Sequence, residues 1–383
     1  MRKKKIIVVA IALGILVFFL ASPLVRSFWS ILVLSELMSF HSGGWLGNMT
    51  SPPRIQEVSY QGPSGIVKAD LYLAQPHRKR SGILLNHGVI DTGKDDPRLK
   101  RFASILCRAG FVVLVPDLKG MRSFRIAPSD VDEIQTAFEY FLSRSEILSR
   151  SCGLFGFSYG AGPTIIAACR PAIQSKVRFV VSFGGYYDLQ NALSFIATGN
   201  FEFAGERYYR QPQEYGKWVF LANNLDLVES PEDRGTLRKI LQIKLRDENA
   251  RIDRFWEQLG GEGRNVLNLL SHTDPSQTAL LIRKLPPSVQ SSIEALSVSK
   301  VLKNLQANLI LAHGEDDDLI PFTETLRLAQ AAPDPGRVYC QILRSFFHVD
   351  PDRRALGIKT FFTFYLPEGW KLFRLVYQLM GYR

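Results

Sequence analysis

Seven short apolar runs separated by longer, more polar stretches leave this chain few folds to choose from. The candidate strands are Ile66–Leu73, Gly82–Asn86, Phe111–Pro116, Cys152–Phe157, Val177–Phe183, Asn308–Ala312 and Val338–Leu343. Runs this short and this uniformly apolar suit strands buried on both faces, and helices in the connections make neighbouring strands parallel. Two connections read as helices. Pro97–Ala109 places Phe102, Ile105 and Leu106 on one side, and Val131–Ser143 does the same with Val131, Ile134, Ala137, Phe138 and Phe141, with Ser129 positioned to cap its start. The expected class is α/β, a mainly parallel sheet flanked by helices.

The alternation stops near Asp188 and resumes near Asn308. The intervening residues, 188–306, read as helical and carry Phe195, Phe201, Phe203, Tyr208, Tyr209, Tyr215, Trp218, Phe220 and Trp256. A block inserted there sits over the strand ends, where open α/β sheets bind ligands, so it is expected to be a helical cap. Its aromatics either line a pocket or form a core internal to the insertion, and the sequence leaves both open. The expected organisation is 1–40, 41–187, 188–306 and 307–383, with a Gly-, Ser- and Pro-rich linker at 41–53.

Residues Ile6–Val25 carry no charge, and twenty residues at a helical rise span roughly 30 Å. They are expected to form an N-terminal transmembrane helix. Arg2, Lys3, Lys4 and Lys5 precede the run and only Arg26 follows it closely, which puts the N-terminus in the cytoplasm and the body on the far side. A cleaved signal peptide, and hence a secreted protein, is the alternative, although Pro23 after Ser22 makes a poor cleavage site. A second run, Phe28–Phe40, either lies beside the anchor or covers the folded body.

Of the net charge of +11, +4 falls within the first forty residues, and no basic tract with interleaved aromatics follows, so nucleic acid is not an expected partner. Cys107, Cys152, Cys169 and Cys340 fall inside predicted elements with no CxxC or Cys/His spacing; they read as buried apolar residues, and no metal or cofactor is implied.

Gly156-Phe157-Ser158-Tyr159-Gly160 follows one apolar strand directly and opens the helix-like Ala161–Ala168. A GxSxG pentapeptide in a strand–turn–helix setting exposes its serine hydroxyl above the sheet, with Gly156 and Gly160 leaving room for the sharp turn. Such a hydroxyl needs a base, and the base needs an acid to orient it. Of the histidines at 41, 77, 87, 272, 313 and 348, only His348 lies in a loop just beyond the last strand. For the acid, the strand ending at Ala312 runs into His313-Gly314-Glu315-Asp316-Asp317-Asp318, and spacing alone does not choose among the three aspartates. Asp188 is a rival acid that reads better as a helix cap, and Asp95-Asp96-Pro97 reads as a helix start.

With these motifs in this order, the chain resembles the α/β-hydrolase superfamily from about residue 54 to residue 366, and is most similar to its dienelactone-hydrolase-like and prolyl-oligopeptidase-like members. The resemblance implies a nucleophile at Ser158 and a base at His348. The HGxxDxxxP turn, matched by His313 to Pro321, selects Asp317 as the acid. The HG turn matches His87-Gly88, which implies an oxyanion hole built from Val89 and Tyr159. His348 lacks the glycine that follows it in many relatives, and a serine stands where true dienelactone hydrolases have cysteine. The implied activity is hydrolysis of a carboxylic ester or thioester through an acyl-enzyme, on a small-molecule or lipid-like substrate. A serine peptidase or amidase, and a catalytically silent binding protein, are the alternatives.

Overall fold

The computed structural model describes residues 22–39, 44–76, 78–348 and 360–383. Its main element is an eight-stranded sheet built from β1 (Arg54–Gly62), β2 (Gly65–Leu73), β3 (Gly82–Asn86), β4 (Val112–Pro116), β5 (Gly153–Phe157), β6 (Phe179–Phe183), β9 (Asn308–Gly314) and β10 (Val338–Leu343). The strand order is β1-β2-β4-β3-β5-β6-β9-β10. The β1–β2 and β2–β4 pairs are antiparallel, and all later neighbours are parallel. β1 has no uniformly apolar run because only its alternate residues Val58, Tyr60 and Gly62 are buried, so hydropathy alone passes over it.

Along each central strand, successive side chains enter different layers. Leu84, Leu154, Val180, Leu309 and Leu311 face α5 (Ser129–Leu142) and α6 (Ala161–Ala168). Ile83, Leu85, Phe155, Val181 and Ile310 face α3 (Pro97–Arg108) and the C-terminal helix α14 (Leu366–Met380). Leu32 and Val33 from α1, over residues 22–38, also enter this second layer. The described part of the second run, 28–39, therefore covers the folded body: Arg26 just before it donates to the Gln378 carbonyl at 3.0 Å, and the Arg383 guanidinium lies 3.8 Å from the Trp29 ring centre. The expected linker is partly structured, since α2 (Trp45–Met49) buries Leu46 and the Glu36 carboxylate accepts from the Gly47 N–H.

The expectation of a single-pass membrane protein is corrected here. No helix among the described residues is long and apolar enough to cross a membrane. Residues 6–21 of the expected span lie outside the described residues, and its last four, 22–25, open α1.

Between β6 and β9 the chain forms α7 (Leu189–Thr198), α8 (Glu214–Asn223), α9 (Pro231–Lys244), α10 (Gly261–Ser271), α11 (Thr278–Ile282) and α12 (Pro287–Ala295). It also forms a hairpin, β7 (Asn200–Phe203) with β8 (Glu206–Tyr209), so the insertion is not wholly helical. The reading of its aromatics as an internal core finds a place. Trp218 and Phe255 join Leu237, Ile240 and Leu267 in a core of the insertion's own. Phe195, Phe201 and Tyr208 instead pack with Phe322, which precedes α13 (Thr323–Ala331) of the main body.

The insertion is fastened at its root. Asp188 caps α7 by accepting from the Gln190 N–H at 2.9 Å, as expected of it. Ser129, by contrast, caps nothing: it is the first residue of α5, and Pro128 holds the capping position. Beside Asp188, the Glu324 carboxylate accepts from the Tyr187 and Asp188 N–H groups at 3.1 and 2.8 Å and from the Asn191 side chain at 3.1 Å. Glu324 is 1% exposed, and burial pushes its carboxyl up to about 7 despite these donors and Arg327. Between its ordinary pKa and 7 the folded chain holds a proton that the unfolded chain has lost, so stability falls as pH rises through that window. Glu324→Gln is expected to flatten this slope, by roughly 1–3 kcal/mol between pH 5 and 8, in urea unfolding at a series of pH values.

Candidate active site

Ser158 follows β5 with φ +51°, a left-handed backbone that non-glycine residues avoid unless the surroundings hold them there. The surroundings are tight. A Cβ on Gly160 would run into the His87 carbonyl oxygen, and one on Gly156 would lie 2.6 Å from Ala161 Cα and 2.7 Å from Thr164 Oγ1. A Cβ on Gly88 would come within 3.0 Å of Ser158 Cβ. The turn after β3 and the turn after β5 are thus pressed together, with the serine between them.

His87 locks that junction. It is buried, its Nδ1 lies 2.7 Å from the Gly88 carbonyl, and its Nε2 accepts from the Leu118 N–H at 3.2 Å. These partners require a neutral ring with the proton on Nδ1. Burial lowers its pKa accordingly.

Two strands away, β9 ends at Gly314 and the following loop turns Asp317 back under it. Asp317 is 2% exposed, and its oxygens are fully engaged. Oδ1 accepts from the Leu319 and Ile320 N–H groups, each at 2.8 Å. Oδ2 lies 3.2 Å from His313 Nε2 and is bonded to His348 Nδ1. Burial alone would raise this carboxyl; the charge interaction with His348 and the bonds from His313 and His348 outweigh it and hold the group well below the usual carboxylate range. Of the three consecutive aspartates, Asp317 is bonded to His348, Asp316 pairs with Arg210 of the insertion, and the Asp318 carbonyl accepts from the Gln213 N–H.

Gly184, immediately after β6, lies beside the pair. Its φ is +67°, and a Cβ there would sit 3.5 Å from His348 Cε1 and 3.7 Å from Asp317 Oδ2. β6 lies between β5 and β9, so the Asp317–His348 pair stands over the strand next to the one that ends at Ser158.

The fold has close counterparts among solved structures. The acylaminoacyl peptidase of Pyrococcus horikoshii superposes with a TM-score of 0.51 at 12% identity, covering 88% of this chain and 42% of that one. The chain has the α/β-hydrolase fold. Two further members of that fold superpose more loosely: the dienelactone hydrolase of Anabaena variabilis (TM-score 0.44, 12% identity, 85% of this chain and 96% of that one) and a puromycin-hydrolyzing peptidase of Mycobacterium tuberculosis (0.48, 14%, 86% and 39%). By sequence, two M. tuberculosis proteins provisionally named phosphoribosyl transferase are 28% identical over 163 residues, 39% of this chain and 34% of each relative. The chain therefore spans about a third of the length of those relatives. No family model matches it.

Within the hydrolase fold, three residues of the site went unassigned in the sequence. His313 was visible only as the start of an HG turn. In the structure Thr325 donates to its Nδ1, 2.7 Å away, and its Nε2 proton serves the Ile320 carbonyl at 2.9 Å as well as Asp317. Its spacing of four from Asp317 was the available signal. Glu324 and Asp130 gave none, because an acid in the first turn of a helix is ordinary and only the packing buries these two. The four cysteines are unpaired, and burial pushes the thiols of Cys107, Cys152 and Cys169 up to about 12.

The contact at Gly160 is backbone against backbone and has no side chain to swing aside. Gly160→Ala is therefore expected to lower the unfolding free energy by about 1–3 kcal/mol in denaturant titrations. A variant as stable as the parent would mean that the two turns are not in contact.

Proposed function

We propose that the chain is a serine hydrolase that cleaves a carboxylic ester or thioester through an acyl-enzyme intermediate. What supports this reading is a strained, left-handed Ser158 just after β5 together with a bonded Asp317–His348 pair beside Gly184, just after the neighbouring strand β6. In it Ser158 Oγ attacks the substrate carbonyl and passes its proton to His348 Nε2. Asp317, bonded to Nδ1, holds the imidazole in the tautomer that leaves Nε2 as the proton acceptor and stabilises the imidazolium that forms. The N–H groups of Val89 and Tyr159 receive the oxyanion. His348 then gives the proton to the leaving alcohol or thiol, and a water deprotonated by the same nitrogen releases the acid product.

His87 and Gly88 support this arrangement from below by fixing the turn that carries Val89, and Gly156 and Gly160 support it by allowing the elbow. Residues 188–306 act as the cap in this reading. Their aromatics Phe201 and Tyr208 reach the main body at Phe322, beyond the loop that bears Asp317, which favours a substrate with an apolar acyl or aryl part. Phosphoribosyl transfer, named for the M. tuberculosis relatives, belongs to proteins of which this chain spans about a third, and it is not carried over.

A fluorophosphonate probe is expected to label the wild type at Ser158 and to leave Ser158→Ala unlabelled. With a short-chain aryl ester, kcat is expected to fall by about a million-fold in Ser158→Ala or His348→Ala and by about ten-thousand-fold in Asp317→Asn. A folded wild type that neither takes the probe nor turns over the ester would leave a silent hydrolase fold as the better description.

A further inference from the structure

The far end of the Tyr159 ring is tied down. Its hydroxyl donates to Asp130 Oδ2 at 2.8 Å, and the same oxygen accepts from the Ala127 N–H at 3.1 Å. One face of the ring stacks on Tyr186, with centroids 6.1 Å apart and planes 21° apart. Tyr186 in turn fills the space beside Gly162 in α6, where any Cβ would clash with its ring. Tyr159 is the residue after the proposed nucleophile, so these contacts set the tilt of the peptide that carries its N–H.

Asp130 itself is unusual. It is 5% exposed, and no lysine or arginine pairs with it among the described residues. A carboxyl group is a costly choice for such a place if the only need is to tether α5 to the elbow, because an amide or hydroxyl would accept the same two hydrogen bonds without a buried charge. What the carboxylate adds is a charge-assisted bond, shorter and roughly twice as strong as a neutral one. That matters where a backbone donor must be held within a fraction of an ångström of its target.

We propose that Asp130 is a positioning residue, which acts through the Tyr159 hydroxyl to hold the peptide whose N–H receives the oxyanion at Ser158. The inference rests on the serine-hydrolase reading of the site and adds a form of regulation to it. Burial pushes the Asp130 carboxyl up to about 6, against the Ala127 N–H and the Tyr159 hydroxyl, which pull it down, and with Glu133 on the same helix, which pushes it further up. Tyr186 and the Gly120 backbone also approach it, and no lysine or arginine is among the charges that shift it. Above pH 6 the bond to Tyr159 is charge-assisted; below it, Asp130 is a neutral acceptor.

The test compares wild type, Asp130→Asn, Tyr159→Phe and the double variant on an aryl ester from pH 5 to pH 8, with melting temperatures in parallel. At pH 8 each single variant is expected to lose about tenfold in kcat with KM within about twofold, and the double variant to lose no more than the worse single. The wild-type advantage over Asp130→Asn is expected to shrink toward unity as pH falls through about 6, because protonated Asp130 and asparagine present the same neutral acceptor. A pH-independent ratio, additive losses, or losses that simply track melting temperature would overturn the positioning role. Wild-type kcat in an active, probe-labelled Asp130→Asn would overturn it while leaving the hydrolase reading intact. A wild type inert to both probe and ester would bring down both.

Discussion

The bond between a fully buried carboxylate and a histidine just beyond the last strand organises more of this chain than its size suggests. Asp317 cannot be charged at 2% exposure unless its oxygens are met, and they are met from three places: its own loop, β9 through His313, and the loop after β10 through His348. Each partner is in turn constrained. His313 is held by Thr325 at the start of α13, and Gly184, with its left-handed φ of +67°, lies beside the ring of His348. Removing one of these donors leaves a buried charge less fully met in a low-dielectric setting, a cost of about 1–3 kcal/mol.

The same loop is where the insertion meets the sheet. Asp316, one residue earlier, pairs with Arg210, and the carbonyl of Asp318, one residue later, takes the Gln213 N–H. Glu324, in the first turn of α13, accepts from the Tyr187 and Asp188 N–H groups just before α7. A single stretch of chain between β9 and α13 thus orients His348 with one carboxylate and fastens residues 188–306 with two others.

The sequence made the parallel core readable because that core is buried on both faces, and burial on both faces writes an uninterrupted apolar run. β3 and β10 have the boundaries expected of them, and the other central strands shift by a residue or two at their ends. β1 was missed for the complementary reason: it lies at the edge, only alternate residues are buried, and its exposed positions carry Arg54, Gln56 and Glu57. The β7–β8 hairpin was missed because its four-residue strands sit among helices and its tyrosines are exposed at Tyr208 and Tyr209. The apolar segment at 28–40 shows the limit of hydropathy from the other side, since Leu32 and Val33 cover a sheet rather than face lipid. Apolar length reports what a segment avoids, not what it packs against.

The site was legible to the extent that its chemistry is fixed to strand ends. Ser158, His87 and Asp317 each stand at or just beyond a run the sequence marks clearly, and their spacing along the chain is set by strand order. What lay beyond reach were the groups that hold those residues from the next layer. Asp130 and Tyr159 are 29 positions apart, on different elements, and neither residue type is uncommon at its place. Their relation follows only once α5 packs on α6 and the elbow turns the tyrosine inward, away from the substrate side. The proposed nucleophile lies in one pentapeptide; the contacts that would hold it rigid come from helices whose sequences look like any others.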